Sequence, residues 1–430
     1  MIVRQTWNYK IFKQYLRLIH ETLLVRQRYV IGSERLPKYG DRFLIVCNHQ
    51  NTANDPLNIL FSLPLSYHVC ALARANVFSV HPLATRFLRW IGLLPAFRLG
   101  WEGGTKLEDN YESFHLVADR INSGYPVIVF PEAGHTQGHY LDRFTTGSVR
   151  MAFQSAAEND FAHDVKIVPT AHHYSDFLDV QIDFVWMIGE PLSLQPYYQE
   201  YQKHPNSVMR DITKQIRKQI QQMMLDEGID DYETKDFLRR SALNEATTKD
   251  MPLPQRLEID KAFIAKLRDN PRYEQIIQRA TQLNHDEQAI GTDDITINNK
   301  PNWISTLLKI AMLILLLPLW IVSLWPHLIC YALPPRLIKS DKMFVNSYRY
   351  IMSALLLYPL QAVLTLLIAG IASGCWWQPL IWIILWIPIG RFSWWYYSTG
   401  RKTLRYLRCL THTKAVHSIE QQREEIKKLL

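Results

Sequence analysis

Apolar positions along the chain change their spacing from one region to the next. From Arg42 to Ile188 they gather in short runs, RFLIVC (42–47), YHVCAL (67–72), PVIVF (126–130), VKIVPT (165–170) and QIDFVWMI (181–188). Several are apolar at successive positions, as strands covered on both faces are. Stretches such as 109–122 and 147–157 lie between them and are long enough for helices. This alternation predicts an α/β fold with a mostly parallel central sheet flanked by helices.

After residue 197 the pattern changes twice. Residues 197–300 are rich in charged and amide side chains, and SVMRDITKQIRKQIQQMML (207–225) has a helical period with Ser207 placed as its N-cap. From Ile304 to Tyr397 the chain is then apolar over most of its length. The block 350–395 has room for two spans of about 20 residues each. Gly374 and Trp376-Trp377-Gln378-Pro379 would form their turn. The block 304–333, with Pro318 and Pro326, is long for one span and short for two. Arg336, Lys339, Lys342 and Arg349 follow it, and Arg391, Arg401, Lys402, Arg405 and Arg408 mark the end of the second block. Positive flanks prefer the cytosol, which favours two hairpin-like insertions with a re-entrant first block. A tilted single first span with an exported tail is the alternative.

At the other end, Ile11, Tyr15, Leu18 and Leu23–Leu24 recur among Lys10, Lys13, Arg17 and Arg26. This is a basic amphipathic helix that suits a headgroup layer and would equally pack on the folded core. The expected division is therefore an interfacial helix (1–28), a catalytic α/β domain (29–226), a charged helical linker (227–300), membrane-embedded helices (301–398) and a basic cytosolic tail (399–430).

Composition sharpens the membrane reading. Nine of the thirteen tryptophans lie between Trp303 and Trp395, and Trp favours the bilayer–water boundary. The formal charge of +8 suits an anionic lipid surface or nucleic acid. No basic stripe interleaved with aromatics appears in the polar part, which argues against nucleic acid. Cys47, Cys70, Cys330, Cys375 and Cys409 form no C-x-x-C pair, so neither a disulfide framework nor a zinc site is expected. Charges interrupt the first twenty residues throughout, unlike a signal peptide. An integral membrane protein with its soluble domain facing the cytosol follows as the expectation.

Three clusters carry candidate chemistry. CNHQNTANDPLNIL begins at the end of the first strand run. A His beside a carboxylate makes a hydroxyl nucleophilic, because the carboxylate fixes the tautomer and steadies the imidazolium. Pro56 favours a first helical position and disfavours helix at its predecessor, so His49–Asp55 is expected to be a loop ending at a helix N-terminus. The second cluster, IGLLPAFR (91–98), ends an apolar run in Arg98, a residue type suited to phosphate. In the third, a buried-looking strand delivers Pro131, Glu132, Ala133 and Gly134 into a loop. Ligand-binding loops sit at such strand ends in open α/β sheets. His135 and His139 have a metal-like spacing, but Gly138 between them and the lack of a carboxylate ligand set argue against a metal. Each cluster alone has an ordinary structural reading as loop, cap or surface charge.

Taken in order, the clusters resemble the motifs of the glycerolipid acyltransferase superfamily, the family of bacterial lysophosphatidate acyltransferases. Asn48-His49 through Asp55 resembles N-H-x-x-x-x-D, and Gly92 through Arg98 is similar to G-x-x-x-x-x-R. Phe130-Pro131-Glu132 looks like F-P-E-G, Val165–Pro169 like the apolar run ending in Pro, and Ile188–Leu192 like the closing strand. The likeness spans about residues 25–225. Two departures stand out. Five residues, not four, separate His49 from Asp55, which puts Asn54 in the usual Asp position, and Ala133 replaces the motif's Gly, with Gly134 one place later. The longer gap resembles a subgroup similar to fungal glycerol-3-phosphate and dihydroxyacetone-phosphate acyltransferases.

The resemblance implies transfer of a fatty acyl group from acyl-CoA or acyl carrier protein to a hydroxyl of lysophosphatidate or glycerol-3-phosphate, in phospholipid biosynthesis. His49 would be the general base and Asp55 its partner. Arg98, Glu132 and Gly134 would bind the acceptor and its phosphate. It implies no metal and no cofactor beyond the acyl-thioester co-substrate. Acylation of another lyso-lipid, such as an amino-acid lipid, and a non-catalytic lipid-binding protein on the same fold are the rival readings.

Overall fold

The computed structural model describes residues 6–79, 81–96, 107–132, 134, 138–339 and 341–430. The chain divides into two compact units, one built from 1–18, 27–177 and 183–225, the other from 19–26, 178–182 and 226–430.

An eight-stranded sheet forms the heart of the first unit. In chain order the elements are α1 (Trp7–Leu23), β1 (Val25–Ile31), β2 (Phe43–Cys47), α2 (Asn54–Ser62), β3 (Cys70–Arg74), α3 (Pro82–Trp90), β4 (Leu93–Ala96), α4 (Leu107–Asn122) and β5 (Val127–Val129). They continue as α5 (Gly147–Ala157), β6 (Lys166–Tyr174), β7 (Ile182–Ile188), β8 (Leu192–Ser193), α6 (Tyr198–Lys203) and α7 (Pro205–Met223). The sheet order is β1-β7-β6-β2-β5-β3-β4, with β8 beside β6. Strands β6, β2, β5, β3 and β4 pair in parallel, while β7 and β8 run antiparallel to β6. Every residue of β2, β5 and β7 is buried; the runs of β2 and β5 are apolar throughout and that of β7 is broken only by Asp183.

Several boundaries differ from the sequence pattern. Strand β6 runs on to Tyr174, and the short β4 lies beside β3 inside the second motif. Helix α2 starts at Asn54, so Asp55 and Pro56 are helical although Pro was expected to open the helix. Pro is tolerated there because the first four N–H groups of a helix have no intrahelical partner to lose. For the same reason α7 begins at Pro205, with His204 and not Ser207 at its N-cap. The first part of α1 packs on the sheet domain. Tyr9 stacks on His68, and the Lys13 ammonium donates to the carbonyls of Leu63, Pro64 and Tyr67. Its opposite face leaves Trp7, Ile11 and Leu18 exposed.

The second unit is helical: α8 (Tyr232–Arg240), α9 (Glu245–Thr248), α10 (Leu253–Arg268), α11 (Tyr273–Ile290), α12 (Asp294–Asn298), α13 (Trp303–Ser323), α14 (His327–Ala332), α15 (Pro334–Leu337), α16 (Val345–Met352), α17 (Tyr358–Ser373), α18 (Trp377–Thr411) and α19 (Thr413–Leu429). Residues 227–300, expected as a linker, are instead a packed body. The Arg239 guanidinium is buried against Glu227, Asp236 and Asp260. Residues 399–430, expected as a tail, continue α18 and then form α19, which packs on α11 and pairs Arg423 with Asp294.

Two helical stretches are long and apolar enough to cross a membrane, Trp303–Ser323 and Lys342–Ser373, the latter continuous from α16 to α17 through a π-helical turn at Ser353–Leu357. Helix α13 lies antiparallel to α18: Trp320 Nε1 donates to the Ser393 carbonyl at 3.2 Å, and the Tyr396 hydroxyl to that of Leu313 at 2.8 Å. The chain then folds back through α14 and α15 against α16, while α17 runs to the turn at Gly374 (φ 63°) and α18 returns from it. His327 of α14 meets Trp386 midway along α18.

Gly92, which opens the second motif, is a backbone requirement. Its φ is +94°, and a Cβ there would lie 2.5 Å from the Val69 carbonyl oxygen. Replacing Gly92 with Ala should therefore cost about 1–3 kcal/mol of stability, read as a lowered melting temperature of the full-length protein in detergent.

Candidate active site

Sheet register assembles the site. Val46 of β2 pairs with Val129 of β5, so three residues further on His49 meets Glu132. The His49 N–H donates to Glu132 Oε1 at 2.8 Å. On the other side of β2, Cys47 pairs with Thr170 of β6. Past that point the Asn48 side chain continues the ladder, accepting from the His172 N–H at 2.7 Å and donating to its carbonyl at 3.3 Å. The strand end thus stays tied on both sides while its backbone turns into the His49 loop.

Asp55 reaches the imidazole. His49 Nδ1 and Asp55 Oδ2 lie 2.7 Å apart, and the same oxygen accepts the N–H groups of Gln50 at 2.8 Å and Asn51 at 2.9 Å. Oδ1 accepts the Tyr174 hydroxyl at 2.6 Å, with His172 Nδ1 at 3.3 Å. Asn54 points elsewhere, donating to Asn51 Oδ1 at 3.1 Å. The extra residue between His and Asp is taken up in the turn, where Thr52 adopts φ 48°. That conformation is uncommon for a β-branched residue and persists only where its surroundings hold it.

Charge distribution follows from these contacts. Burial of the Asp55 carboxyl by itself would raise its pKa. The hydrogen bonds and positive field of His172 and His49 outweigh that, and hold it well below the usual carboxylate range. An ionised Asp55 keeps the proton on His49 Nδ1 and leaves Nε2 as the basic nitrogen. The ring stacks on Phe130, with centroids 4.2 Å apart, and its side chain stays 15 % exposed while Asp55 is fully buried. An oriented, accessible imidazole backed by a sequestered carboxylate can act as a general base.

Glu132, expected in the acceptor pocket, uses both carboxylate oxygens on backbone groups, Oε1 on His49 N–H and Oε2 on Asp142 N–H at 3.3 Å. It ties the His49 loop to the segment around 138–146, which Gln50 also holds through the Gly138 carbonyl at 2.6 Å. Among the described residues nothing lies within 4 Å of where a Cβ on Gly134 would stand. Arg98 and Ala133 lie outside the described residues, as does His135. His139 is buried and packs on His173 and Phe177. Among the described residues no cluster of three or more His, Cys, Asp or Glu side chains is arranged to hold a metal ion.

His172 and Tyr174 went unnoticed in the sequence because the fourth strand run was ended at Thr170. They occupy alternate positions on β6, hence one face, and that periodicity in TAHHY was the signal available.

Burial, more than the two N–H bonds can offset, pushes the Glu132 carboxyl up to about 7. Its unfolded pKa is lower, near the ordinary value of 4.5. Between those pH values the folded state therefore binds more protons than the unfolded one, and stability falls as pH rises. Glu132→Gln should flatten this slope, which amounts to roughly 3 kcal/mol in full. Melting temperatures of both proteins from pH 4.5 to 8 check it; parallel profiles would contradict the assignment.

Residues 27–173 match the family model described as Acyltransferase. No curated protein is significantly similar to the chain in sequence. Among solved structures, the chain aligns with the 1-acyl-sn-glycerophosphate (LPA) acyltransferase PlsC from Thermotoga maritima. The alignment has 15% identity and a TM-score of 0.34, and covers 49% of this chain and 78% of that one. The match to the Acyltransferase family thus falls on the segment, 27–173, that carries the ordered motifs and the His49–Asp55 pair.

Proposed function

We propose that the protein transfers a fatty acyl group from a thioester, acyl-CoA or acyl carrier protein, to a hydroxyl of lysophosphatidate or glycerol-3-phosphate. The observation that carries this reading is the His49–Asp55 pair at 2.7 Å, with the carboxylate buried and the imidazole partly open. The acceptor oxygen attacks the thioester carbonyl as its proton passes to His49 Nε2. Collapse of the tetrahedral adduct forms the ester and expels the thiolate, which takes that proton back from His49 and leaves as the thiol. Asp55 steadies the imidazolium between these two transfers. Neither a nucleophilic side chain nor an acyl-enzyme is needed.

Arg98 follows β4 by two residues and is the proposed ligand of the acceptor's phosphate, as a guanidinium fork suits. Glu132 contributes by fixing the His49 loop, and Gly134 by lining the acceptor's approach. The apolar helices of the second unit would hold the protein in the bilayer. The exposed Trp7, Ile11 and Leu18 with nearby Lys10 would lie in the headgroup layer. The positive flanks of the apolar blocks put the catalytic domain on the cytosolic side.

His49→Ala should abolish acyl transfer by the purified protein while its melting temperature stays near that of the parent; retained turnover would sink the mechanism. Asp55→Asn should lower kcat by about 10²–10⁴-fold. Arg98→Ala should raise KM for a phosphorylated acceptor by roughly 10–100-fold and leave KM for the thioester unchanged. Mass spectrometry of the product formed from labelled acceptors identifies which hydroxyl is acylated.

A further inference from the structure

The second unit contains a cavity of about 270 Å³ that acyl transfer does not use. Trp320, Leu324, His327 and Leu328 line it from α13 and its continuation into α14, and Gly390 and Tyr397 from α18. The wall is mostly apolar, and the side-chain nitrogens of His327, Trp320 and Gln181 in it already have partners within the protein. His327 Nδ1 meets the Tyr358 hydroxyl at 2.7 Å and its Nε2 the Trp386 carbonyl at 2.8 Å. Trp320 Nε1 is on the Ser393 carbonyl, and Gln181 Nε2 on that of Thr22 at 2.6 Å. A cavity whose polar groups are satisfied selects an apolar occupant, because a polar one would lose its bonds to water without replacement.

We infer that this cavity receives one acyl chain of a bilayer glycerophospholipid. Its volume is too small for a whole lipid. At roughly 30 Å³ per group the size of a water molecule or methylene, it accepts about nine such groups, part of a single chain. Leu328 and Tyr397 remain 50% and 43% exposed, so the cavity opens outward. One of its walls is α13, a helix apolar enough to cross a membrane that leaves Ile304, Ile314 and Leu315 on its outer surface. A chain arriving sideways from surrounding lipid meets this opening. The inference rests on the reading that these helices lie in a bilayer.

The test uses full-length protein in phosphatidylcholine–phosphatidylglycerol vesicles containing phosphatidylcholine with a diazirine at the middle of one chain. After irradiation, labelled peptides are located by mass spectrometry. Labelling should concentrate in 320–331 and 390–397, about tenfold above the outward residues Ile368 and Ile371 of α17. Leu328→Trp and Ser393→Trp, which intrude from opposite walls, should each lower it to the α17 level while the melting temperature and α17 labelling persist. Even labelling along α13, α17 and α18 in the parent protein would overturn the inference whether or not a variant folds. Unchanged labelling in a folded variant would do the same. So would labelling of this site by a diazirine-bearing acyl-CoA that added phospholipid fails to displace, which would assign the chain to the donor. Flotation of the same vesicles separates the two readings. Protein that fails to float removes the bilayer placement as well, and protein that floats but labels evenly removes this inference alone.

Discussion

The Asp55 carboxylate is the constraint on which the site depends. It is fully buried and accepts donors from its own turn, from His49 and from Tyr174 of β6. Leaving a charge in that position without partners would cost several kcal/mol, so the surrounding chain is organised to supply them. Gln50 and Asn51 must turn their N–H groups inward, which sets the loop. Placing Asp55 in the first turn of α2 adds the favourable end of the helix dipole. The tautomer and direction of His49 follow from the same contacts. The His49 imidazole is thus oriented by a structural need, the neutralising of a buried charge, and not by a contact made for its own sake.

That arrangement is possible only because parallel strands bring several chain segments to one edge. The β2–β5 register sets Glu132 opposite the His49 N–H, and the β2–β6 register sets His172 and Tyr174 behind Asp55. The three segments, around His49–Asp55, Glu132 and His172–Tyr174, are far apart in sequence, yet each is reached by counting a few residues past a strand pair. Glu132 illustrates how position decides role. A carboxylate delivered by a strand into a loop looks like a ligand-binding group, but burial and two backbone N–H donors make it a brace between loops.

How far this was legible depends on how local the cause is. Apolar runs disclosed β2, β5 and, with Asp183 as its single polar position, β7, because burial on both faces leaves little room for polar residues. His49 with Asp55, and the choice against Asn54, could be argued from Pro56 and the loop it implies. The physical reason was slightly different, since Asp55 already belongs to α2 and the spare residue is absorbed at Thr52. His172 and Tyr174 were not found because their partner lies more than 110 residues earlier. Nothing in AHHY alone distinguishes a polar face turned toward a carboxylate from a strand fraying into a loop. Residues 227–300 read as a charged helical linker; the helices are there, and what the charge pattern did not disclose is that Arg239 and its carboxylates are paired inside a packed body.

The two units handle polar groups in the same way under different demands. In the first, a buried carboxylate is met by several donors, which directs the His49 imidazole. In the second, Trp320, Tyr396 and His327 spend their polar atoms on carbonyls and hydroxyls of neighbouring helices, and the outer surface is left to Leu, Ile and Trp. An indole, hydroxyl or imidazole that helix packing buries must find its partner within the protein. The turning back of α14 and α15 fits the same rule, because the irregular backbone around Pro326 and Pro334 is enclosed by α16, α17 and α18 through His327, Cys330 and Tyr358. Backbone that leaves the regular helical pattern and is covered by the fold must find its hydrogen-bond partners there.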